Sequence, residues 1–310
     1  LLLELKRRQN ENNRRIQIEG LKQEFQQLMT LFDPGQLATL LPRPHSFVQV
    51  AEDLGKATVR FSDDVKLQIA FIGEIAFKLL NTLLHPRSLR WKDAFLIAEK
   101  SGADAVGITA LLGFLIGLIL AFQSAIAMKK LGAEIFVADL VVISLFRELG
   151  PLITAFILAA RSGSAFAAEL GTMKINEEID ALTTMGLDPV QFLAVPRVIA
   201  AVFVIPLLTL FNHLFGLIGC GLVMSSFGFP PVTFFNQIQL AAGLGDLLGG
   251  LVKTFVFGVL IAGIGCLRGF QTGTGASAVG DSATKAVVSG IIAIVVSDGV
   301  FAVLYYFLGI

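Results

Sequence analysis

Charge is scarce in this chain: only 15% of its residues are Asp, Glu, Lys or Arg, against about 25% in soluble domains. With 55% hydrophobic residues and a mean hydropathy of +0.76, the shortage implies that lipid rather than water solvates most of the surface. The 24 basic residues equal the 24 acidic ones, so no net charge points to nucleic acid, and partners must be sought in local charge placement. Cysteine is equally sparse. Cys220 and Cys266 both sit inside apolar runs, where a small hydrophobe is favoured over a disulfide or metal pair. The three histidines, His45, His85 and His213, are far apart and make no metal spacing. No G-x-x-x-x-G-K-S/T occurs, so no phosphate loop of this chain is expected to hold ATP, and no cofactor is expected here. H-E-x-x-H and G-x-S-x-G are missing too, which leaves no visible hydrolase constellation. Gly273-Thr274-Gly275-Ala276-Ser277-Ala278 formally satisfies G-x-G-x-x-A, but it follows an apolar span rather than a strand and reads as a turn.

What is present changes character at about residue 45. The opening LLLELKRRQNENNRR lacks the order of basic region, apolar core and small-residue cleavage site that a signal peptide needs, and reads as a domain cut partway through. It has helix-forming composition, RIQIEG alternates like a short strand, and Leu21, Phe25, Leu28 and Phe32 fall at helical spacing. That is a soluble α/β fragment, followed by a Pro-punctuated linker to residue 44. Residues 64–84 are amphipathic at helical spacing, with Lys66, Glu74 and Lys78 interrupting, and predict a helix lying in the membrane interface. His85-Pro86 ends it, and Arg87, Arg90, Trp91 and Lys92 have the composition of a headgroup layer.

Five apolar runs then follow, at about 105–128, 138–160, 198–227, 247–267 and 286–308. At about 1.5 Å per residue each is long enough to cross a hydrocarbon core of about 30 Å. The stretch after Phe227, broken by Phe229-Pro230-Pro231 and by Asn236, Gln237 and Gln239, is expected to be a loop. The fold class is therefore an all-α membrane protein, with about five transmembrane helices behind an interfacial helix. Lys78, Arg87, Arg90, Lys92 and Lys100, then Arg161, Lys174 and Arg197, then Arg268 and Lys285 mark one side, against Lys129 and Lys130 on the other. By the positive-inside rule the N-terminus is cytoplasmic and Ile310 lies outside. Gly113-xxx-Gly117, Gly245-xxx-Gly249 and Gly265-xxx-Gly269 offer close helix approach, internally or across a dimer.

Between the second and third runs lies a polar segment, RSGSAFAAELGTMKINEEIDALTTMGLDPVQFLAVPRV. Glu169, Lys174, Glu177, Glu178 and Asp180 are too costly for hydrocarbon. They predict a helix outside the membrane over about 169–185, interrupted near Gly171 and closed at Gly186-Leu187-Asp188-Pro189. Its bland reading is a solvated loop helix; its functional reading is a coupling helix that docks on an ATPase. Arg147, Glu148, Lys253 and Asp298 instead fall inside the spans. There they either neutralise one another and fix helix register, or line a polar vestibule for a lipid headgroup. Arg147 and Glu148, being adjacent, project about 100° apart on an α-helix and need not pair with each other.

Arg147-Glu148-Leu149-Gly150-Pro151, Ala160-Arg161-Ser162-Gly163-Ser164-Ala165, Ala168-Glu169-Leu170-Gly171-Thr172-Met173-Lys174, Glu178-Ile179-Asp180-Ala181-Leu182, Met185-Gly186-Leu187-Asp188-Pro189 and Val195-Pro196-Arg197 resemble, in order and spacing, the signature of the MlaE permease family. The likeness continues more loosely through Gly250-Leu251-Val252-Lys253, Gly269-Phe270 and Gly280. It implies a homodimeric permease in the bacterial inner membrane, part of an ABC complex that moves phospholipid or a related lipid between membranes. An ATPase would bind on the cytoplasmic face, using ATP, and an MCE-domain lipid-binding protein on the periplasmic face, where the C-terminus would lie. The coupling role would fall to Glu169, Gly171, Thr172, Met173, Lys174, Glu177, Glu178 and Asp180, and the lipid pathway to Arg147, Glu148, Lys253 and Asp298. Residues 1–44 resemble the last half of a STAS domain and its linker, with the first half absent. A gradient-driven secondary transporter, with Glu148 or Asp298 as its ion site, is the rival; STAS domains accompany such anion transporters, but after many more spans. An intramembrane lipid enzyme is disfavoured by the missing constellation. Co-purification of an ATPase discriminates the first two.

Overall fold

A computed structural model describes residues 47–85 and 90–309. The expected STAS-like fragment at 1–44 lies outside the described residues. Among those described, the chain is helical throughout and has no strand. Helix α1 runs Phe47–Leu84, starting well before the expected residue 64. Five longer or more apolar helices have the length and composition to cross a membrane: α2 (Trp91–Lys129), α3 (Glu134–Ile175), α5 (Val190–Ser226), α7 (Leu244–Phe270) and α8 (Ala276–Leu308). Two short helices, α4 (Glu178–Thr184) and α6 (Pro231–Ala241), connect them. The protein is thus a multi-pass, all-α membrane protein.

Three departures from the expected boundaries have local causes. Helix α2 begins 14 residues before position 105 because nothing in 91–104 breaks it and its charges find partners on α3: Arg161 with Asp104 at 2.8 Å, and Lys100 with Glu169 at 3.6 Å. Helix α3 does not stop near residue 160 but continues to Ile175, and the expected helix over 169–185 is two. The break falls at Glu177, which sits in the left-handed region at φ 60°, not at Gly171. Gly171 stays helical and is there for packing, since a Cβ on it would lie 2.6 Å from the Thr272 hydroxyl. Finally, the stretch after Phe227 is not wholly loop. Gly228 turns the chain at φ 89°, and Pro231 then starts α6, because proline is tolerated in a helix's first turn. Gln237 of α6 donates to Asp139 of α3 at 2.9 Å, which gives that polar residue a reason to be there.

The core is layered along the bundle axis. At the α4 end Phe166, Leu170, Leu193, Val198 and Ala262 pack with Ile75 of α1; Leu158, Ile205, Leu208, Phe257 and Ile294 fill the middle; Val137, Val141, Leu145, Val223 and Met224 fill the far end. Cys220 and Cys266 are free and buried. The most extensive contact is between α2 and α5, and glycine makes it possible. A Cβ on Gly117 would stand 1.9 Å from the Gly216 carbonyl oxygen, and one on Gly219 would stand 2.2 Å from that of Phe114. The backbones therefore touch, the arrangement by which small residues drive helix association in lipid. Gly265 likewise meets the Gly163 carbonyl (2.7 Å), whereas nothing lies within 4 Å of the position a Cβ on Gly245 would take. Gly117→Ala must push α2 off α5, and overpacking of this kind costs about 1–3 kcal/mol. The thermal midpoint of the detergent-solubilised protein is expected to fall for Gly117→Ala and to stay put for Gly245→Ala; equal midpoints would disprove the close packing.

Candidate functional site

The charged centre is built from one irregularity. Helix α3 widens into a π-helical turn at Leu145–Leu149, a feature that recurs at functional sites. It places Arg147 and Glu148 against a single face of α7, where Asp246, Gly250 and Lys253 follow one another at i, i+4 and i+7. Gly250 is the contact point, since a Cβ there would lie 1.9 Å from the Phe146 carbonyl oxygen. Arg147 pairs with Asp246 at 3.3 Å and Glu148 with Lys253 at 2.7 Å. The signs match in this register only: a slide of α7 by two turns would set like charges together. Lys253 also donates to Asp298 of α8 at 2.9 Å, and its ammonium lies 5.5 Å from the centroid of the Tyr305 ring. The Tyr305 hydroxyl in turn donates to the Gly249 carbonyl at 2.7 Å.

Three of the four intramembrane charges expected from the sequence therefore meet in one cluster, and the fourth, Arg147, joins through α7. The Lys253 side chain is fully buried while that of Glu148 is 41% exposed. The cluster thus has a sealed side and an open one, and the open carboxylate is where a polar ligand could reach it. Asp246 and Tyr305 went unrecognised in the sequence; the i, i+4, i+7 run of Asp246, Gly250 and Lys253 was the signal for the first. A buried ammonium without its carboxylates is costly, and so are the carboxylates without it.

The coupling candidates divide differently. Glu169 faces its own chain, accepting from Arg197 at 3.2 Å and pairing with Lys100. Gly171 is buried; the Thr172 hydroxyl turns back to the Ala168 carbonyl at 2.9 Å; Met173 packs on the core layer of Phe166 and Leu170; Lys174 donates to the Phe270 carbonyl. Glu177, Glu178 and Asp180 are exposed, around the first turn of α4. Past α4, the chain is strapped to α1: Lys78 pairs with Asp188, and Gln191 donates to the Thr82 hydroxyl at 3.0 Å. Arg90 lies 4.5 Å from the centroid of the Phe192 ring. Among the described residues no group of three His, Cys, Asp or Glu could hold a metal ion.

The MlaE permease family model matches residues 96–304. A probable ABC transporter permease protein of Rickettsia typhi is 35% identical over 255 residues, covering 81% of this chain and 95% of its own length. One of Synechocystis is 41% identical over 64% of this chain and 75% of its own. The protein TRIGALACTOSYLDIACYLGLYCEROL 1, chloroplastic, of Arabidopsis thaliana is 31% identical over 76% of this chain and 66% of its own.

Two predictions follow from the two ion-pair systems. Replacing Lys253 by Met strands the Glu148 and Asp298 carboxylates in the bundle, at a cost of about 3–5 kcal/mol; the melting midpoint in detergent should drop sharply, and an unchanged midpoint would mean the carboxylates are hydrated. For the strap, burial alone pushes the Asp188 carboxyl up, but the hydrogen bonds from Lys78 and from the Gln191 and Val190 N–H groups outweigh it and hold it below the usual carboxylate range. Burial likewise pulls Lys78 down, while its bonds to Asp188 and Glu74 raise it on balance. A depressed acid stabilises above its unfolded value and a raised base below its own, so the pair contributes fully between about pH 4 and 10. With Asp188 half exposed, its worth is at most about 1 kcal/mol. The midpoint gap between wild type and Asp188→Asn should be constant from about pH 5 to 9 and close on acidification through the folded Asp188 value; a gap that persists in acid would show that Asp188 acts by shape alone.

Proposed function

The chain belongs to the MlaE permease family, and from that membership and the charged centre we propose that it is the membrane permease subunit of an ABC transporter that moves phospholipid or a related lipid between membranes. It is a transport subunit rather than an enzyme, and a separate ATPase chain supplies the hydrolysis. The observation that carries the reading is the cluster of Glu148, Lys253 and Asp298, joined by Arg147 and Asp246, on a π-helical turn within the spans. Lys253 is nine residues along α7, about 14 Å from its end at 1.5 Å per residue. Charges at that depth pair with one another or face a polar cavity, and Glu148, paired with Lys253 yet 41% exposed, is the member that a headgroup could reach. Apolar side chains of the spans would carry the acyl chains. The lipid part of the reading is supported by the Arabidopsis relative, whose name is that of a glycolipid.

The remaining parts of the proposed machine rest on charge placement and on the family. The basic excess at the α4 end supports a cytoplasmic location for that end, and the proposed setting is the inner membrane of a bacterium, with the C-terminus on the periplasmic side. Helix α4, with Glu177, Glu178 and Asp180 exposed, is the ATPase contact, and the end of α3 that carries Glu169, Gly171, Thr172, Met173 and Lys174 completes it, braced to α2 and α5 by Glu169 and to α7 by Lys174. A second copy of the chain completes the pathway, and an MCE-domain protein receives or delivers lipid outside. The relatives named as probable ABC transporter permeases support the ATPase partner.

Glu148→Gln keeps the shape and deletes the charge, leaving Lys253 its Asp298 partner. The variant is expected to assemble with the ATPase, and proteoliposomes holding that complex should transfer fluorescent phospholipid to acceptor vesicles at least roughly tenfold more slowly than wild type, about 1.4 kcal/mol in barrier. The chain without its ATPase should hydrolyse no ATP. Normal transfer by Glu148→Gln would reduce Glu148 to a structural charge, and ion-driven uptake by the chain alone would favour the secondary transporter.

A further inference from the structure

Two apolar grooves lie against the outer side of α5, away from the charged centre. One, of 540 Å³, runs between α2 and α5, past Ala98, Gly102 and Leu207. The other, of 580 Å³, runs between the C-terminal part of α1, α5 and α7, past Ala76, Leu80 and Val259. Both fall within the usual size of a small-ligand site, about 300–1,000 Å³. Trp91, Ile199 and Phe203 line both grooves. Trp91 is 53% exposed and Phe203 64% exposed, so the two rings stand as a ridge with a groove on either side. Apart from Glu99 in the first groove, Thr82 in the second and the Trp91 indole N–H shared by both, the lining is apolar.

We propose that the paired grooves bind a single diacyl phospholipid astride this ridge, one acyl chain in each, with its headgroup beside Trp91. Three features select this occupant. The grooves are apolar and run along the spanning helices α2, α5 and α7, which suits an acyl chain rather than a soluble ligand. They are two, of nearly equal volume, and share a wall, which matches two chains leaving one glycerol. Trp91 marks the headgroup level, where tryptophan is enriched, and the exposed Lys92 beside it is the cation suited to a phosphate, whereas Arg90 is engaged by Asp93 and Lys100 by Glu169. Because α1 forms one wall of the second groove, a lipid seated there touches the interfacial helix and two spans at once and helps hold α1 in place. The site is independent of the transport reading, since it uses none of Arg147, Glu148, Lys253 or Asp298.

Trp91 is the only tryptophan in the chain, which makes it a selective reporter. The purified full-length chain in detergent is titrated with phosphatidylcholine brominated on its acyl chains, and with brominated lysophosphatidylcholine, while Trp91 fluorescence is followed. Quenching by the diacyl lipid is expected to saturate at one lipid per chain. Its midpoint should be at least roughly tenfold lower than that of the single-chain lipid, because burying a second chain adds hydrophobic area. Ala98→Phe and Ala76→Phe, which fill the first and second groove respectively, should each weaken the diacyl lipid towards the single-chain value. Quenching that rises linearly with lipid-to-detergent ratio, equal midpoints for the two lipids, or saturable wild-type quenching unchanged in both folded variants would each overturn the proposal. The wild-type titration decides the first two outcomes even if a variant does not fold.

Discussion

A fully buried ammonium group, that of Lys253, sets the terms for the far half of this bundle. In hydrocarbon it must be matched, and its two carboxylates come from different helices, Glu148 of α3 and Asp298 of α8. Those three helices are therefore held in one register and one rotation. The match also requires close approach, which Gly250 permits by meeting the Phe146 carbonyl directly. A side chain at position 250 would separate α7 from α3 and lengthen every ion pair above and below it. The π-helical turn completes the arrangement, because it lets consecutive residues of α3, Arg147 and Glu148, both address α7. In a membrane this is how charge becomes specific: the apolar contacts between helices are no better than contacts with lipid, so small residues and paired polar groups decide who packs with whom.

At the other end of the bundle polar chemistry serves mechanical continuity. Arg197, Glu169 and Lys100 tie α5, α3 and α2, and Lys174 reaches the last carbonyl turn of α7. The short helix α4 projects beyond this braced platform, and the residues after it are strapped to α1 through Asp188 and Gln191. A push on α4 consequently reaches the spans through α3 and helix α1 through the strap. That architecture suits a subunit driven from outside the membrane by a partner, which is the reading favoured by its family.

The two proposed sites are a polar one in the interior, at the charged centre, and an apolar one at the paired grooves. They use different faces of α7: Lys253 is buried among the helices, whereas Val256 and Phe255 are exposed. A lipid on the perimeter would experience only dispersion and the headgroup layer, while one at the centre would meet the open carboxylate of Glu148.

By itself the sequence determined that the chain is a membrane protein with five spans, because crossing hydrocarbon requires long apolar helices and the length of each apolar run is written locally. It also marked Arg147, Glu148, Lys253 and Asp298, since a charge inside such a run is conspicuous wherever it points. It did not reveal that Glu148 and Asp298 share Lys253, nor that Arg147 takes Asp246, because those partners lie about 45–105 residues apart and hydropathy carries no information about rotation between helices. Helix ends were misjudged for the same reason. Polar residues such as Glu169, Lys174 and Asp104 look like the end of a span when considered alone, yet Arg197, the Phe270 carbonyl and Arg161 satisfy them, so the helices run on. Gly171 looked like a break and proved to be a contact, because a glycine's role depends on what faces it. Tertiary structure decided the pairings, the continuity of α2 and α3 and the meeting of two grooves at Trp91, since each depends on the atoms that a neighbouring helix brings within a few ångströms.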